Sequence, residues 1–495
     1  MRGFNGKIRG ALGLMALTAM CVSTGWAQDS SSDQSSGAPP AATGPAEPSV
    51  ENPPLSGLDS PSAEPAFGGR SYFVPGLQLS EGVDSYSGNG TANSGPASVS
   101  RVLGSADLQK IWKRSQFALD YIGGGVYYTG STTSNQNQAY QVHTMAADER
   151  ILWRTGQLAI RDSFDYLPEG TFGFGSFGGA GAYSGAFGGS GAGLGTGLGG
   201  GISGGSPGGL FGGGAYGSVG LQPRIDNLSI VDITEMLSPR SSVTLASGYN
   251  YNHFLDTSQS NFNLIDSQMF TAQVGFNHLL NRKDQIGFLY AFQELHFPSA
   301  GAGSFEAHVW NALYGHRITG RLDFSVGGGP ELILLHSPGI PVLGIPGSTT
   351  TQVGVSGNVT LRYTVSARTS TQLLYQHYVT PGSGFYAGAH TDAVRGSLSH
   401  VLGRLWTSDI DTGYSRNSRL LNTTTAGISS SSYTFWYAGG SIHRNLGPHF
   451  SAFAAYQFDD FNSGVCSTGS LCAAQAHRQT GMIGIDWHPR PIRLD

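Results

Sequence analysis

The feature that most constrains the fold is the strict alternation of apolar and polar side chains over residues 352–366. Because successive side chains of a strand point to opposite sides, this run predicts a strand with one apolar and one polar surface. Its fifteen residues exceed the roughly 9–11 tilted residues with which a strand crosses a bilayer. One face carries Val353, Val355, Gly357, Val359, Leu361, Tyr363 and Val365, and the other carries Gln352, Gly354, Ser356, Asn358, Thr360, Arg362, Thr364 and Ser366.

Runs of the same kind recur along the chain, with short turns after the even-numbered runs and longer loops after the odd-numbered ones. Bacterial outer-membrane barrels have this asymmetry. We predict an all-β fold, a transmembrane antiparallel up-and-down β-barrel of about 18 strands, or 16 if one hairpin is misassigned. Runs 225–237 and 305–318 do not alternate cleanly, and the sequence does not assign their faces. The eighteen runs lie near 77–86, 99–112, 115–128, 138–153, 156–166, 225–237, 241–254, 264–280, 284–297, 305–318, 321–335, 352–366, 369–380, 389–402, 404–416, 432–444, 449–461 and 477–488.

Several runs have two clear faces. Val243, Leu245, Tyr249 and Tyr251 are predicted to face lipid, and Phe270, Ala272, Val274 and Phe276 do the same in the next run. Aromatic residues near run ends suit the interfacial girdles of a membrane barrel. These aromatic residues are Trp112, Tyr127, Trp153, Trp406 and Trp487.

The N-terminal region predicts export. Residues 1–27 combine a basic start, an uncharged run from Ala11 to Thr24 and small residues before a cleavage point, as in a cleaved signal peptide. Residues 28–66 are rich in Ser, Ala and Pro and predict a disordered periplasmic leader, too short to be the folded plug of a TonB-dependent transporter. The barrel domain is then 67–495.

Composition excludes several classes of protein. Charged residues make up 12% of the chain, against about 25% in an average soluble domain. A net charge of −5 over 495 residues argues against nucleic acid as a partner. No segment has the 18 or so uninterrupted apolar residues of a spanning helix, so a closed barrel is the membrane solution left. The histidines are dispersed and form no catalytic constellation, so we expect no enzyme activity, cofactor or metal.

Two special segments interrupt the strand pattern. Cys466 and Cys472 flank a short turn, and in an oxidising compartment a local disulfide is expected, with a metal pair as the alternative. Residues 170–220 hold 25 of the 75 glycines. This segment is a flexible loop, a constriction folded into the lumen, or an adhesive external loop.

Charged side chains in the strands are expected to point inward, since an Arg on the lipid face at the midplane costs about 2–4 kcal/mol. Both signs of charge occur, so no strong ion selectivity is predicted. Asp165 and Asp486 belong to the same inward set. The candidate pore-lining residues are Asp120, Arg161, Asp323, Glu331, Asn358, Arg362, Arg395, Asp409, Asp411 and Arg478.

The export signal, the leader and the alternating strands over roughly 77–488 resemble porin-like outer-membrane β-barrel proteins of Gram-negative bacteria. The resemblance implies an outer-membrane location, contact with outer-membrane lipids and assembly by the outer-membrane insertion machinery. Many such barrels end in an aromatic residue that this machinery reads. This chain ends HPRPIRLD, with Trp487 as its last aromatic residue, so either an internal signal around Gly484–Trp487 serves or recognition differs.

Barrel size leads to the expected function. A barrel of 16–18 strands leaves an aqueous channel unless something plugs it. We therefore predict a passive or loop-gated channel for small polar solutes. The alternatives are a conduit that exports a polysaccharide glycan, and an adhesive or structural surface protein in which the barrel anchors the Gly-rich loop.

Overall fold

A computed structural model describes residues 54–57, 71–85, 96–129, 138–167, 224–255, 265–298, 303–337, 347–381, 386–420, 432–462 and 475–494. The predicted signal peptide, most of the predicted leader, the Gly-rich segment 170–220 and the pair Cys466 and Cys472 lie outside the described residues. None of the residues in these ranges belongs to a helix that could span a bilayer.

Eighteen long strands form one antiparallel sheet in which each strand pairs with its neighbours along the chain. Strands β1 and β18 also pair, from Leu77 opposite Trp487 to Asp84 opposite Thr480, so the sheet closes into a barrel. The predicted fold class and strand number are confirmed. The strands are β1 Tyr72–Asp84, β2 Ala97–Ile111, β3 Ser115–Thr129, β4 Gln138–Leu152, β5 Gly156–Leu167, β6 Arg224–Ser238, β7 Ser241–Phe254, β8 Ser267–Leu279, β9 Asp284–His296, β10 Ser304–Thr319, β11 Leu322–Ser337, β12 Ser348–Ser366, β13 Thr369–Thr380, β14 Ala389–Leu402, β15 Trp406–Arg419, β16 Ser432–Asn445, β17 Phe450–Asn462 and β18 Gln475–Trp487, followed by the two-residue β19 Ile492–Arg493.

The two faces of the wall differ as the alternation predicts. In β12, Val353 is 78% exposed on the outside, whereas Ser356 on the other face is buried. In β7, Leu245 is 52% exposed and its neighbours Thr244 and Ala246 are buried. Exposed apolar side chains recur around the whole outer surface. A closed sheet with such a belt presents the surface that lipid chains cover in a transmembrane barrel.

The two ends of the barrel also differ. Short turns follow the even-numbered strands and longer connections follow the odd-numbered ones, so the predicted rhythm is confirmed. Trp112, Trp153, Trp406 and Trp487 are exposed at the short-turn end. The short turns also expose nine basic residues, which we call the basic collar: Lys113, Arg114, Arg154, Arg240, Arg282, Lys283, Arg321, Arg368 and Arg404.

The inner wall of β9–β11 departs from the polar lumen that the sequence predicts. Here buried apolar side chains, among them Leu289, Val309 and Ile333, face inward. On the outside of β10 the intervening positions include Glu306 and His308. This is why run 305–318 has no clean alternation: both faces of β10 mix apolar with polar residues. Apolar side chains facing inward need a cover other than water.

We predict that an arginine within the apolar outer surface lowers the stability of the barrel far more than an arginine at the edge of that surface. Leu245→Arg places a charge among Ile233 and Val274 on the neighbouring strands and should lower the free energy of unfolding by about 2–4 kcal/mol in lipid vesicles. Leu237→Arg, beside a short turn, should lower it by only about 0–1 kcal/mol. Equal losses in urea unfolding of the two variants would contradict a bilayer around this belt.

Candidate functional site: the barrel lumen

All ten candidate pore-lining residues lie on inward-facing positions of their strands, as register and burial pattern show. Asp120 stands opposite Asp107 on β2. Asn358 is buried, and Arg362 lies opposite Asp323. Their role in lining a solute path stays a prediction. Several of their side chains are held in ion pairs with other residues of the wall.

Three buried or half-buried ion pairs hold parts of the inner wall together. Arg161 Nη2 lies 3.1 Å from Asp232 Oδ1, across the β5–β6 pair. Arg395 Nη2 lies 2.7 Å from Asp411 Oδ2. Arg478 Nε donates to Asp84 Oδ1 at 3.0 Å and links β18 to β1, where the sheet closes. Opposite charges on the inner wall therefore neutralise each other in pairs.

Other candidate charges lie in exposed ion pairs or have polar cross-strand neighbours. Asp323 accepts a bond from Arg317 Nε at 3.0 Å near the short-turn end, where both side chains are open to solvent. Asp409 lies on β15 opposite Ser441 of β16. No group of three or more His, Cys, Asp or Glu side chains that could hold a metal occurs within the ranges the structure describes.

Glu331 is a fully buried inward charge. It is 0% exposed on β11, and neither carboxylate oxygen has a hydrogen-bond partner within the described part of the chain. Its closest cross-strand residues are Val309 and Gly354. A buried carboxylate without hydrogen-bond donors destabilises a fold.

The adjoining ends of β13 and β14 lie against the inner wall of the barrel. Strand β12 pairs with β11 out to Ser348 opposite Ser337, but it pairs with β13 only from Gly357 opposite His377. Beyond that point β13 leaves β12, and Val379 packs in one cluster with inward-facing Ile333. We call the described residues of this part, 379–381 and 386–389, the inner hairpin tip.

Gly388 fixes the inner hairpin tip against the wall. Its φ of +84° suits glycine, and a Cβ there would lie 2.5 Å from Phe305 Cε1. Ala387 packs in the same cluster as Phe305, and Leu420 N donates to the Gly388 carbonyl at 3.1 Å. The tip therefore covers the apolar inner wall of β10 and β11 at the long-loop end.

A second segment lies against the inner wall, near the short-turn end. Residues 54–57 form a turn in which Gly57 N donates to the Pro54 carbonyl at 3.0 Å. Ser56 is 0% exposed and Leu55 packs against the apolar cluster that includes Leu289 and Val309. This differs from the disorder expected across 28–66, because these four residues make specific contacts with the barrel.

Sequence reasoning missed both inserted segments. Local alternation predicts which face of a strand a side chain occupies, but not whether water or another part of the chain lies beyond it. The usable signal was the apolar character of Phe305, Val309 and Leu313, which share one face of β10. The Gly-rich segment, predicted as one possible constriction, lies outside the described residues.

No family model and no curated protein matches this chain. Solved structures with similar folds include Pseudomonas aeruginosa OpdQ, with 10% identity and a TM-score of 0.36 over 85% of this chain and 98% of OpdQ. OccK2 (OpdF) of the same organism, in complex with glucuronate, has 10% identity and a TM-score of 0.37 over 86% of this chain and 98% of its own. The ferric-catecholate import receptor Fiu of E. coli K12 has 8% identity and a TM-score of 0.40 over 86% and 82%. These similarities are too weak to assign a family or a solute.

We predict opposite effects on stability from removing two of the inward acids. Asp84→Asn removes the carboxylate that bonds Arg478 across the β1–β18 seam, although Asp459 remains opposite Arg478 on β17, and should destabilise the barrel by about 1.5–3 kcal/mol. Glu331→Leu replaces an uncompensated carboxylate among apolar neighbours and should stabilise it by about 1–3 kcal/mol. Urea unfolding of both variants in vesicles measures the two signs. A destabilised Glu331→Leu barrel would show that Glu331 has a partner in the folded protein.

Proposed function

We propose that the protein is an outer-membrane channel for small polar solutes, narrowed by segments of its own chain. The observation that carries this proposal is the closed 18-strand barrel, whose strand number suits a water-filled interior. The exposed apolar belt supports a bilayer around it, and the polar inner faces of strands such as β7 and β8 support water within it.

The two ends of the barrel suggest its orientation. In outer-membrane barrels the short turns lie in the periplasm and the longer loops lie outside the cell. By that rule the basic collar and residues 54–57 lie at the periplasmic end, and the inner hairpin tip lies at the external end. The signal peptide expected for residues 1–27 agrees with this route of export.

The size of the solute would be set at the inner hairpin tip. Its apolar contacts with Phe305 and Ile333 close part of the lumen, while other parts of the wall carry charges of both signs held in ion pairs. A path of that kind favours small polar molecules over large or apolar ones. Catalysis forms no part of the proposal.

Conductance of the refolded protein in a planar bilayer tests the proposal. We expect stepwise ion currents from the protein that shows heat-modifiable mobility on gels. A correctly folded barrel without any current would reject the channel.

We predict that displacing the inner hairpin tip raises this current several-fold. Gly388→Val combines an unfavourable φ with a clash against Phe305, so the tip should leave the wall. Gly403→Val is the matched control, because Gly403 has a φ of +86° in a short turn but no atom within 4 Å of its would-be Cβ. It should lower stability without changing the current. If both variants conduct like the parent protein, the tip does not constrict the path.

A further inference from the structure

We propose that the inner wall of β7–β10 is a binding site for a Leu-Ser-Gly turn, and that the chain's own leader occupies it through Pro54–Gly57. The bound leader then acts as a resident blocker at the short-turn mouth. The blocking role rests on the proposed channel function, whereas the binding site stands on the contacts alone.

Polar side chains of two adjacent strands recognise the backbone and hydroxyl of Ser56. Ser56 N donates to Asn277 Oδ1 at 3.0 Å, and Asn277 Nδ2 donates to Ser56 Oγ at 2.6 Å. Gln273 Nε2 donates to the Ser56 carbonyl at 3.1 Å. The Ser56 Oγ and Thr244 Oγ1 atoms lie 2.6 Å apart. The donor and acceptor groups of Ser56 are therefore all engaged by the wall.

The wall is also shaped for this turn. A Cβ at Gly275 would lie 2.2 Å from Ser56 Oγ, so any larger residue would collide with the turn. A Cβ at Gly315 would lie 2.8 Å from Leu55 Cδ2, and its three nearest atoms would all belong to Leu55. Both glycines face inward at positions where a side chain would otherwise fill the space. Leu55 completes an apolar cluster with Leu289 and Leu313, which would otherwise face an aqueous lumen.

The charges of the leader and of the basic collar also favour binding of the turn at this mouth. The predicted leader, residues 28–66, contains six acidic residues and no Lys or Arg. The basic collar surrounds the mouth where the turn binds, since Thr244 and Asn277 lie within four residues of short turns. Opposite charges on leader and collar attract each other before the specific contacts form. This attraction distinguishes the leader from other segments that carry an exposed Leu.

A disulfide trap tests the binding site without reference to current. In a chain with Cys466→Ser and Cys472→Ser, the pair Ser56→Cys and Thr244→Cys brings two sulfurs to positions whose oxygens are 2.6 Å apart. We expect the disulfide to form on mild oxidation, as seen by mass spectrometry of the digested barrel. Asn250→Cys in place of Thr244→Cys is the matched control, since it lies on the same face of β7 but about 20 Å along the strand. It should not link to residue 56.

Current through the same protein tests the blocking role. Leu55→Asp with Ser56→Asp should expel the turn and raise the conductance several-fold over the unsubstituted chain. A synthetic peptide of residues 51–60, added at the short-turn side, should restore the block. A peptide carrying the same two Asp substitutions should not, and higher salt should weaken the effective peptide.

The outcomes separate the two claims. If the disulfide between residues 56 and 244 does not form, the proposed binding site is overturned. A disulfide together with equal currents from parent and Asp variant supports the site and overturns the block. A disulfide with no current from any variant supports the site and refutes the channel itself.

Discussion

Backbone hydrogen bonding between β1 and β18 is the constraint on which the rest of the structure depends. Eight consecutive residue pairs join the first and last long strands, so neither strand is left as an edge. In a bilayer an unpaired backbone group costs several kcal/mol, because no water is present to bond it. Closure satisfies these groups all around and at the same time divides every strand into a lipid side and a lumen side. The pair between Arg478 and Asp84 lies at this seam and ties its inner face together.

The inner face is not a uniform water-lined surface. Several charged residues of the wall are held in ion pairs, and a cluster of buried apolar side chains that includes Val99 and Val126 lies on β2–β4. On β9–β11 the inner face is apolar, and two inserted segments cover it from opposite ends of the barrel. The inner hairpin tip brings Val379 and Ala387 to the long-loop half, and the leader turn brings Leu55 to the short-turn half. The hydrophobic effect thus places both inserted segments against the β9–β11 side of the wall.

The sequence predicted the barrel well because the information needed for it is local. A period of two and the spacing of turns determine strand number, turn rhythm and the outward placement of residues such as Leu245 and Val353. It also placed the candidate charges on the inward face. It did not predict their pairing, because Arg161 and Asp232 or Arg478 and Asp84 meet only through strand register. The leader turn was beyond reach for the same reason: Ser56 and Asn277 are 221 residues apart in the chain.

The connection between the leader turn and the barrel has a kinetic consequence. Only thirteen residues, 58–70, separate Gly57 from Ser71, the residue directly before β1. Even fully extended, such a segment spans at most about 50 Å, so a released turn stays near the mouth it left. Rebinding is then intramolecular, with an effective concentration on the order of millimolar. The fraction of time that the site is filled is therefore a property of each single molecule, the same for a sparse membrane as for a crowded one.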